Sequence, residues 1–230
     1  MDRLEKSGFI IFCIIFAALV ILAPYKILLF NESYYHSQFQ KTGVYLNIGE
    51  DKANTALNDV FLFLKNKQET IVGFNEDEIS HMIDVRNILN KMNVLFNLLL
   101  GLFAVFLLLW AFYYKKKHNE KQKYSRKEKY RCLFSSFFYS GILCIIFITI
   151  AGLLFVTDFN FAFALFHKIF FPMGNYTFDP SVSLLKQLFP NNFFYNFTIF
   201  CTIFSLIISV ILIILFFVYN RWSIFVKNRK

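Results

Sequence analysis

The 230-residue sequence predicts an all-α membrane protein with four transmembrane helices, an extracellular cap and both termini cytoplasmic. Three observations lead there. The chain is 57% hydrophobic and only 17% charged, with a mean hydropathy of +0.50, a balance foreign to a water-soluble globule. Four stretches are apolar over the ~20 helical residues that a ~30 Å hydrocarbon layer requires. Fifteen of the 24 basic residues flank those stretches, at Arg3 and Lys6, between Lys115 and Arg131, and from Arg221 onward. Phosphate recognition needs bases arrayed on a folded, water-facing scaffold. The net charge of +9 therefore reads as a topology signal, and no nucleic-acid partner is expected.

Taken in order, residues 1–230 form a single membrane domain, with spans near 8–30, 94–114, 132–156 and 197–219. Placing the basic stretches inside puts the 115–131 loop in the cytoplasm and makes segments 31–93 and 157–196 an extracellular cap. Charge agrees: the 31–93 segment carries nine acids against six bases, whereas the 115–131 loop is strongly basic. Lys26, the one misplaced base, sits near a helix end where it can snorkel to the interface. The first span is read as a retained anchor, because its apolar run exceeds a signal-peptide core and no Ala-x-Ala pattern follows. Cys13, Cys132, Cys144 and Cys201 lie in or beside the spans, with no metal or redox spacing, and read as small apolar packers.

In the first cap segment Leu57, Val60, Phe61 and Leu64 recur at helical spacing, predicting an amphipathic helix within 56–74. Asn75 then predicts the cap of a second helix, with Glu78 three residues on as in a capping box and the acids Glu76 and Asp77 in the first turn. At 100° per residue Asp77, His81, Asp84 and Ile88 share a narrow face of that helix, with Glu78 one step round. Carboxylates one turn away can hold an imidazole in one orientation. Equally, such a face can simply meet water.

The second cap segment is dense in aromatics, with thirteen Phe or Tyr among the 39 positions from Phe159 to Phe197. Phe159, Phe163, Phe166 and Phe170 recur at helical spacing around His167, so the third span is expected to continue outward until Pro172 and Gly174 break it. An aromatic belt at the interface explains such a stretch, but an imidazole in an apolar setting needs a partner or a task. The sequence holds no G-x-S-x-G elbow, P-loop, dinucleotide fingerprint or H-E-x-x-H. His36 and His118 stand in polar or basic surroundings, which leaves His81 and His167 as candidates.

The stretches Glu78–Arg86 (Glu-Ile-Ser-His-Met-Ile-Asp-Val-Arg) and Phe166–Pro180 (Phe-His-Lys-Ile-Phe-Phe-Pro-Met-Gly-Asn-Tyr-Thr-Phe-Asp-Pro), followed by Leu-Phe-Pro-Asn-Asn-Phe-Phe ending at Phe194, resemble the bacterial lipoprotein intramolecular transacylase family. The order of spans and outer segments fits along nearly the whole chain. The resemblance implies a four-helix membrane enzyme whose two essential histidines, by motif match, are His81 and His167. It implies supporting roles for Glu78, Asp84 and Arg86, and substrate contacts from Phe166, Phe170, Phe171, Tyr176 and Asp179. Two positions depart from the expected pattern, Ser183 where an Asp is expected and Asn191 where an acid is expected.

By that resemblance the reaction moves the sn-2 acyl chain of a diacylglyceryl cysteine to the amino group of the same cysteine, leaving a lyso-form lipoprotein. This is aminolysis of an ester by histidine general acid–base catalysis, with no covalent acyl-enzyme, no cofactor and no metal. Glu78 or Asp84 would orient His81. The implied setting is the outer face of the bacterial cell membrane, and the partners are the diacylglyceryl lipoprotein N-terminus and membrane lipid. Two alternatives stand beside it: a non-enzymatic membrane sensor or assembly subunit, and a phospholipid-dependent N-acyltransferase.

Overall fold

A computed structural model describes residues 3–119, 126–171 and 177–228. Among these residues the chain is helical without strands: α1 (Arg3–Leu28), α2 (Glu32–Thr42), α3 (Val44–Ile48), α4 (Glu50–Leu64), α5 (Glu76–Asn119), α6 (Arg126–Thr157), α7 (Phe159–Phe170), α8 (Leu184–Leu188) and α9 (Asn191–Asn228). Four of them, α1, α5, α6 and α9, are long and apolar enough to cross a membrane. The chain divides into two compact units, one holding Met1–Pro24, Leu95–Gly152 and Cys201–Lys230, the other Tyr25–Val94 and Leu153–Phe200.

Small residues bring the helices of the first unit together. A β-carbon at Gly141 on α6 would lie 2.9 Å from the Ser209 carbonyl oxygen on α9, so only glycine permits this approach. Around it Ala17, Val20, Cys144, Ile148 and Leu212 form a buried cluster. Serine hydroxyls bind the backbone between helices: Ser140 Oγ donates to the Cys13 carbonyl at 3.1 Å and Ser205 Oγ to the Val20 carbonyl at 3.2 Å. The second bond has a covalent cause. Pro24 lies inside α1 and lacks the N–H that would reach the carbonyl four residues back, so Ser205 supplies a donor to Val20. Away from this seam Leu98, Leu108, Phe112, Ile150 and Val218 are exposed, the apolar surface that lipid requires of a spanning helix.

In the second unit Asn31 caps α2 by accepting from the Tyr34 N–H at 3.0 Å, and Gly43 ends it in the left-handed conformation at φ 78°. The predicted 56–74 helix is α4, which starts earlier and stops at Leu64. Asn66, at φ 57°, turns the chain there. The core is aromatic: Phe39 and Phe63 are fully buried, Tyr35 meets Phe61 edge-on at 4.9 Å and lies 5.2 Å from Phe193. Buried Gln38 accepts from Asn196 Nδ2 at 2.8 Å. Lys26 donates to Asn93 Oδ1 at 2.6 Å. His36 and Asn54 both bond the Tyr45 hydroxyl, at 2.6 and 3.0 Å, tying α2, α3 and α4 together.

The capping-box helix and the second span prove to be one 44-residue helix, α5. At 1.5 Å per residue it runs about 66 Å, roughly twice a bilayer's hydrocarbon. Its charged first half, with Glu76, Asp77, Glu78, Asp84, Arg86 and Lys91, belongs to the second unit, and its apolar half begins at Val94. The predicted outward continuation of the third span is instead a separate helix. Asp158 breaks the run in an extended conformation and caps α7 by accepting from the Phe161 N–H.

Candidate active site

The first turn of α5 is held by the reciprocal bonds of a capping box. Asn75 N–H donates to Glu78 Oε2 at 2.8 Å, and Glu78 N–H to Asn75 Oδ1 at 2.9 Å. One turn on, His81 leaves α5 into the interior of the second unit, 7% exposed. His167 lies near the end of α7 and is equally buried. The two imidazoles, 86 positions apart in sequence, stack at 6.1 Å between centroids with 19° between planes. Phe171, 4% exposed, packs on both rings, 4.7 Å from His81 and 5.1 Å from His167.

The surrounding wall is aromatic. Phe178 meets His81 edge-on at 5.6 Å. Phe163 lies 4.1 Å from His167, and Phe166 lies 5.4 Å from it. In this setting burial disfavours the imidazolium. It pushes His81 down to about 4, with the neighbouring His167 adding to the effect. Burial also lowers His167, partly opposed by its bond to the Phe163 carbonyl and reinforced by the charge of Lys186. Both rings are therefore neutral at physiological pH.

Their tautomers follow from their partners. His167 Nδ1 lies 2.7 Å from the Phe163 carbonyl oxygen. A carbonyl only accepts, so Nδ1 carries the proton and the basic lone pair is on Nε2. His81 Nδ1 is buried with no hydrogen-bond partner among the described residues. A buried polar atom left in this way calls for an explanation, and a substrate group is one.

The sequence-predicted supporting residues are placed otherwise than the face of the helix suggests. Glu78 is 1% exposed, and its carboxylate is taken up by Asn75 N–H, by Ser183 Oγ at 2.5 Å and by Leu185 N–H at 2.8 Å. It anchors the start of α8 to α5; no hydrogen bond joins it to His81. Asp84 is half-buried and makes no hydrogen bond to His81 either. Arg86 lays its guanidinium over the Phe63 ring at 4.2 Å. Phe170 packs on Phe166 at 4.9 Å with about half its surface exposed. Asp179 is an exposed turn residue that accepts from the N–H and hydroxyl of Ser181, and these bonds hold its carboxyl below the ordinary value. Tyr176 lies outside the described residues.

Phe163, Phe178 and Lys186 are site neighbours that the sequence reading did not select. Phe178 was signalled only by its place between the His167 motif and Pro180. Among the described residues no group of three or more His, Cys, Asp or Glu is placed to hold a metal ion. The four cysteines all belong to the first unit, whereas the paired rings belong to the second.

Four membrane-crossing helices and a buried pair of neutral histidines define a class, an all-α integral membrane protein with a site suited to acid–base chemistry. The family model for the lipoprotein intramolecular transacylase Lit matches residues 7–194, and the chain belongs to that family. It is thus an acyltransferase that acts on lipoproteins. Three solved structures of the membrane integral Lit from Bacillus cereus share the fold. One matches at 18% identity and a TM-score of 0.75 over 100% of both chains. Two variants with a single histidine replaced match at 18% identity and TM-scores of 0.70. The arginine variant covers 96% of this chain and 94% of its own, the alanine variant 99% and 97%. No curated protein sequence matches the chain.

Proposed function

We propose that His81 and His167 transfer the sn-2 acyl chain of a diacylglyceryl cysteine to the α-amine of that same cysteine. The observation that carries this reading is the pair of neutral imidazoles stacked at 6.1 Å, one with its basic lone pair on Nε2 by necessity and the other with an unpartnered buried nitrogen. His167 Nε2 takes a proton from the amine as it attacks the ester carbonyl. An α-amine of pKa about 8 and an imidazole held by burial below its ordinary value of about 6.5 are matched closely enough for such help. His81, too weakly basic to remain protonated, acts as a neutral hydrogen-bond donor to the carbonyl oxygen, and the departing glyceryl oxygen takes up the proton that His167 removed from the amine.

The attacking nitrogen and the ester carbon of such a substrate close a ring of about eight atoms. A rigid aromatic wall that holds the two ends at near-attack distance supplies much of the rate by removing that freedom. The packing of Phe163, Phe171 and Phe178 on the two imidazoles supports this role. No acyl-enzyme is required, and no cysteine lies in this unit to form one. The basic stretches argue for cytoplasmic termini, and so for a site at the outer face of the bacterial cell membrane.

The test is a diacylglyceryl peptide with a labelled sn-2 chain, given to purified protein in unlabelled phospholipid and then with the labels reversed. The amide should always carry the peptide's own label, with one lyso-glyceryl group formed per amide. Label arriving from bulk phospholipid would overturn the intramolecular reading and favour a phospholipid-dependent acyltransferase.

A further inference from the structure

The second unit contains a cation that the two-histidine scheme does not use. Lys186 stands on α8, half-buried. Its Nζ lies 5.7 Å from the Phe163 ring centroid, and that ring is itself 4.1 Å from His167. Its hydrogen-bond partner is the Asn191 amide oxygen at 2.5 Å, a neutral acceptor. The nearby carboxylates are committed elsewhere: Glu78 to Asn75, Ser183 and Leu185, and Asp179 to Ser181. The stretch 172–176, Pro-Met-Gly-Asn-Tyr, contains no acid. A charge whose direct partner is a neutral amide is not cancelled by a contact ion pair, and a half-buried setting screens its field less than water does.

We propose that Lys186, held by Asn191 and by no carboxylate among the described residues, supplies the positive charge of the acyl-transfer site and stabilises the oxyanion formed when the amine attacks the ester. The proposal rests on the proposed function above. In that step the amine nitrogen bonds to the carbonyl carbon and the carbonyl π pair moves to oxygen, creating the negative charge. The amine proton passes to His167. Collapse restores the carbonyl, breaks the ester C–O bond and releases the glyceryl oxygen, which takes the amine's proton from His167, so that ester and amine become amide and alcohol and both imidazoles return to neutral. A fixed positive charge favours the oxyanion and also favours the neutral over the protonated substrate amine, which must lose its proton to attack. Lys186 thus acts through its field as a tuning residue, distinct from the histidines that exchange protons.

The groups that face His167 set the sign of its pH response. Among the described residues they include His81 from α5, Lys186 from α8 and the Phe163 carbonyl within α7. Removing the lysine charge should move the acid limb of kcat/KM upward, by roughly 0.5 to 1 pH unit. Lys186→Met should lower kcat by about 10- to 100-fold with KM little changed, and Lys186→Arg should retain most activity. Lys186→Gln keeps a polar stem and removes the charge. It should likewise lower kcat and shift the acid limb upward, and it decides the matter if Lys186→Met fails to fold. Wild-type kcat and an unshifted limb in Lys186→Gln and in any folded Lys186→Met would overturn the proposal, provided His167→Ala is inactive in the same assay. Activity in His167→Ala would instead remove the reading on which the proposal stands.

Discussion

Ser183 donates its hydroxyl to the buried carboxylate of Glu78 at 2.5 Å, across 105 positions of sequence. Ser183 is itself the cap of α8, where its oxygen accepts from the Lys186 N–H at 3.1 Å. One carboxylate, one turn before His81, thereby closes the capping box of α5 and holds the helix that presents Lys186. Orientation of the site comes from this anchoring of backbone elements, with the His81 ring positioned by packing and the His167 ring also held by its bond to the Phe163 carbonyl.

The anchor predicts an order of stability. Ser183→Ala removes one donor to a buried carboxylate and the cap of α8 together, and should cost about 1–3 kcal/mol. Glu78→Gln replaces one oxygen by an NH2, which must then face either the Asn75 or the Leu185 N–H, so it should be at least as damaging despite its matched size. Glu78→Ala should be worst. Thermal unfolding in detergent checks the series, and wild-type melting of both Ser183→Ala and Glu78→Gln would dismiss the anchor.

Acid should weaken the protein through its histidines. Burial holds His81 at about 4 and lowers His167, so the unfolded chain, with histidines near 6.5, binds more protons as pH falls. Their contribution to stability is complete above pH 6.5 and is lost as pH falls from there toward about 4. Activity should follow, since both rings work from the neutral form. Melting temperature against pH, compared with His81→Gln, checks the sign: the variant should show a shallower loss between pH 6.5 and 4.

The four spans were legible in sequence because apolar length is a local property, and so was the Asn75 to Glu78 capping box. The histidine pair became legible only by joining two short motifs, since a separation of 86 positions hides a contact that the fold makes at 6.1 Å. Helical periodicity put Glu78 and Asp84 near His81 but carried no information on the partners of Glu78, which arrive from α8. The role of Lys186 is hidden in the sequence for the same reason. Its importance lies in being bonded to Asn191 beside Phe163, a relation between α7, α8 and the start of α9 that no single window contains. The continuity of α5 was hidden by a change of composition at Val94 that interrupts hydrophobicity without interrupting the helix.

Packing of the first unit yields a prediction independent of the chemistry. Any β-carbon at Gly141 meets the Ser209 carbonyl at 2.9 Å and Ile213 Cγ1 at 3.0 Å, and backbone cannot swing aside. Gly141→Leu should therefore separate α6 from α9 and destabilise by about 1–3 kcal/mol, as overpacking does elsewhere. Gly152, where a β-carbon would meet nothing within 4 Å, is the control and should accept alanine freely. Equal melting temperatures for Gly141→Leu and wild type would refute close approach at this seam.

The histidines should behave as one unit. If His167 Nε2 removes the amine proton while His81 supports the same developing charge, then removing either leaves the other with no complete reaction to assist. His81→Ala and His167→Ala should each lower kcat by at least about 10³-fold, and the double change should be little worse than the more damaging single one. Two further histidines test the specificity of that loss. His36 bonds the Tyr45 hydroxyl between α2 and α3, so His36→Ala should lower the melting temperature while leaving kcat within about threefold; His118→Ala should be near neutral in both. The variants are compared in the labelled-peptide assay after their elution in detergent has been matched to wild type. Multiplying losses in the double variant would mean that the two imidazoles serve separate steps, and full activity in either single variant would remove that residue from the mechanism.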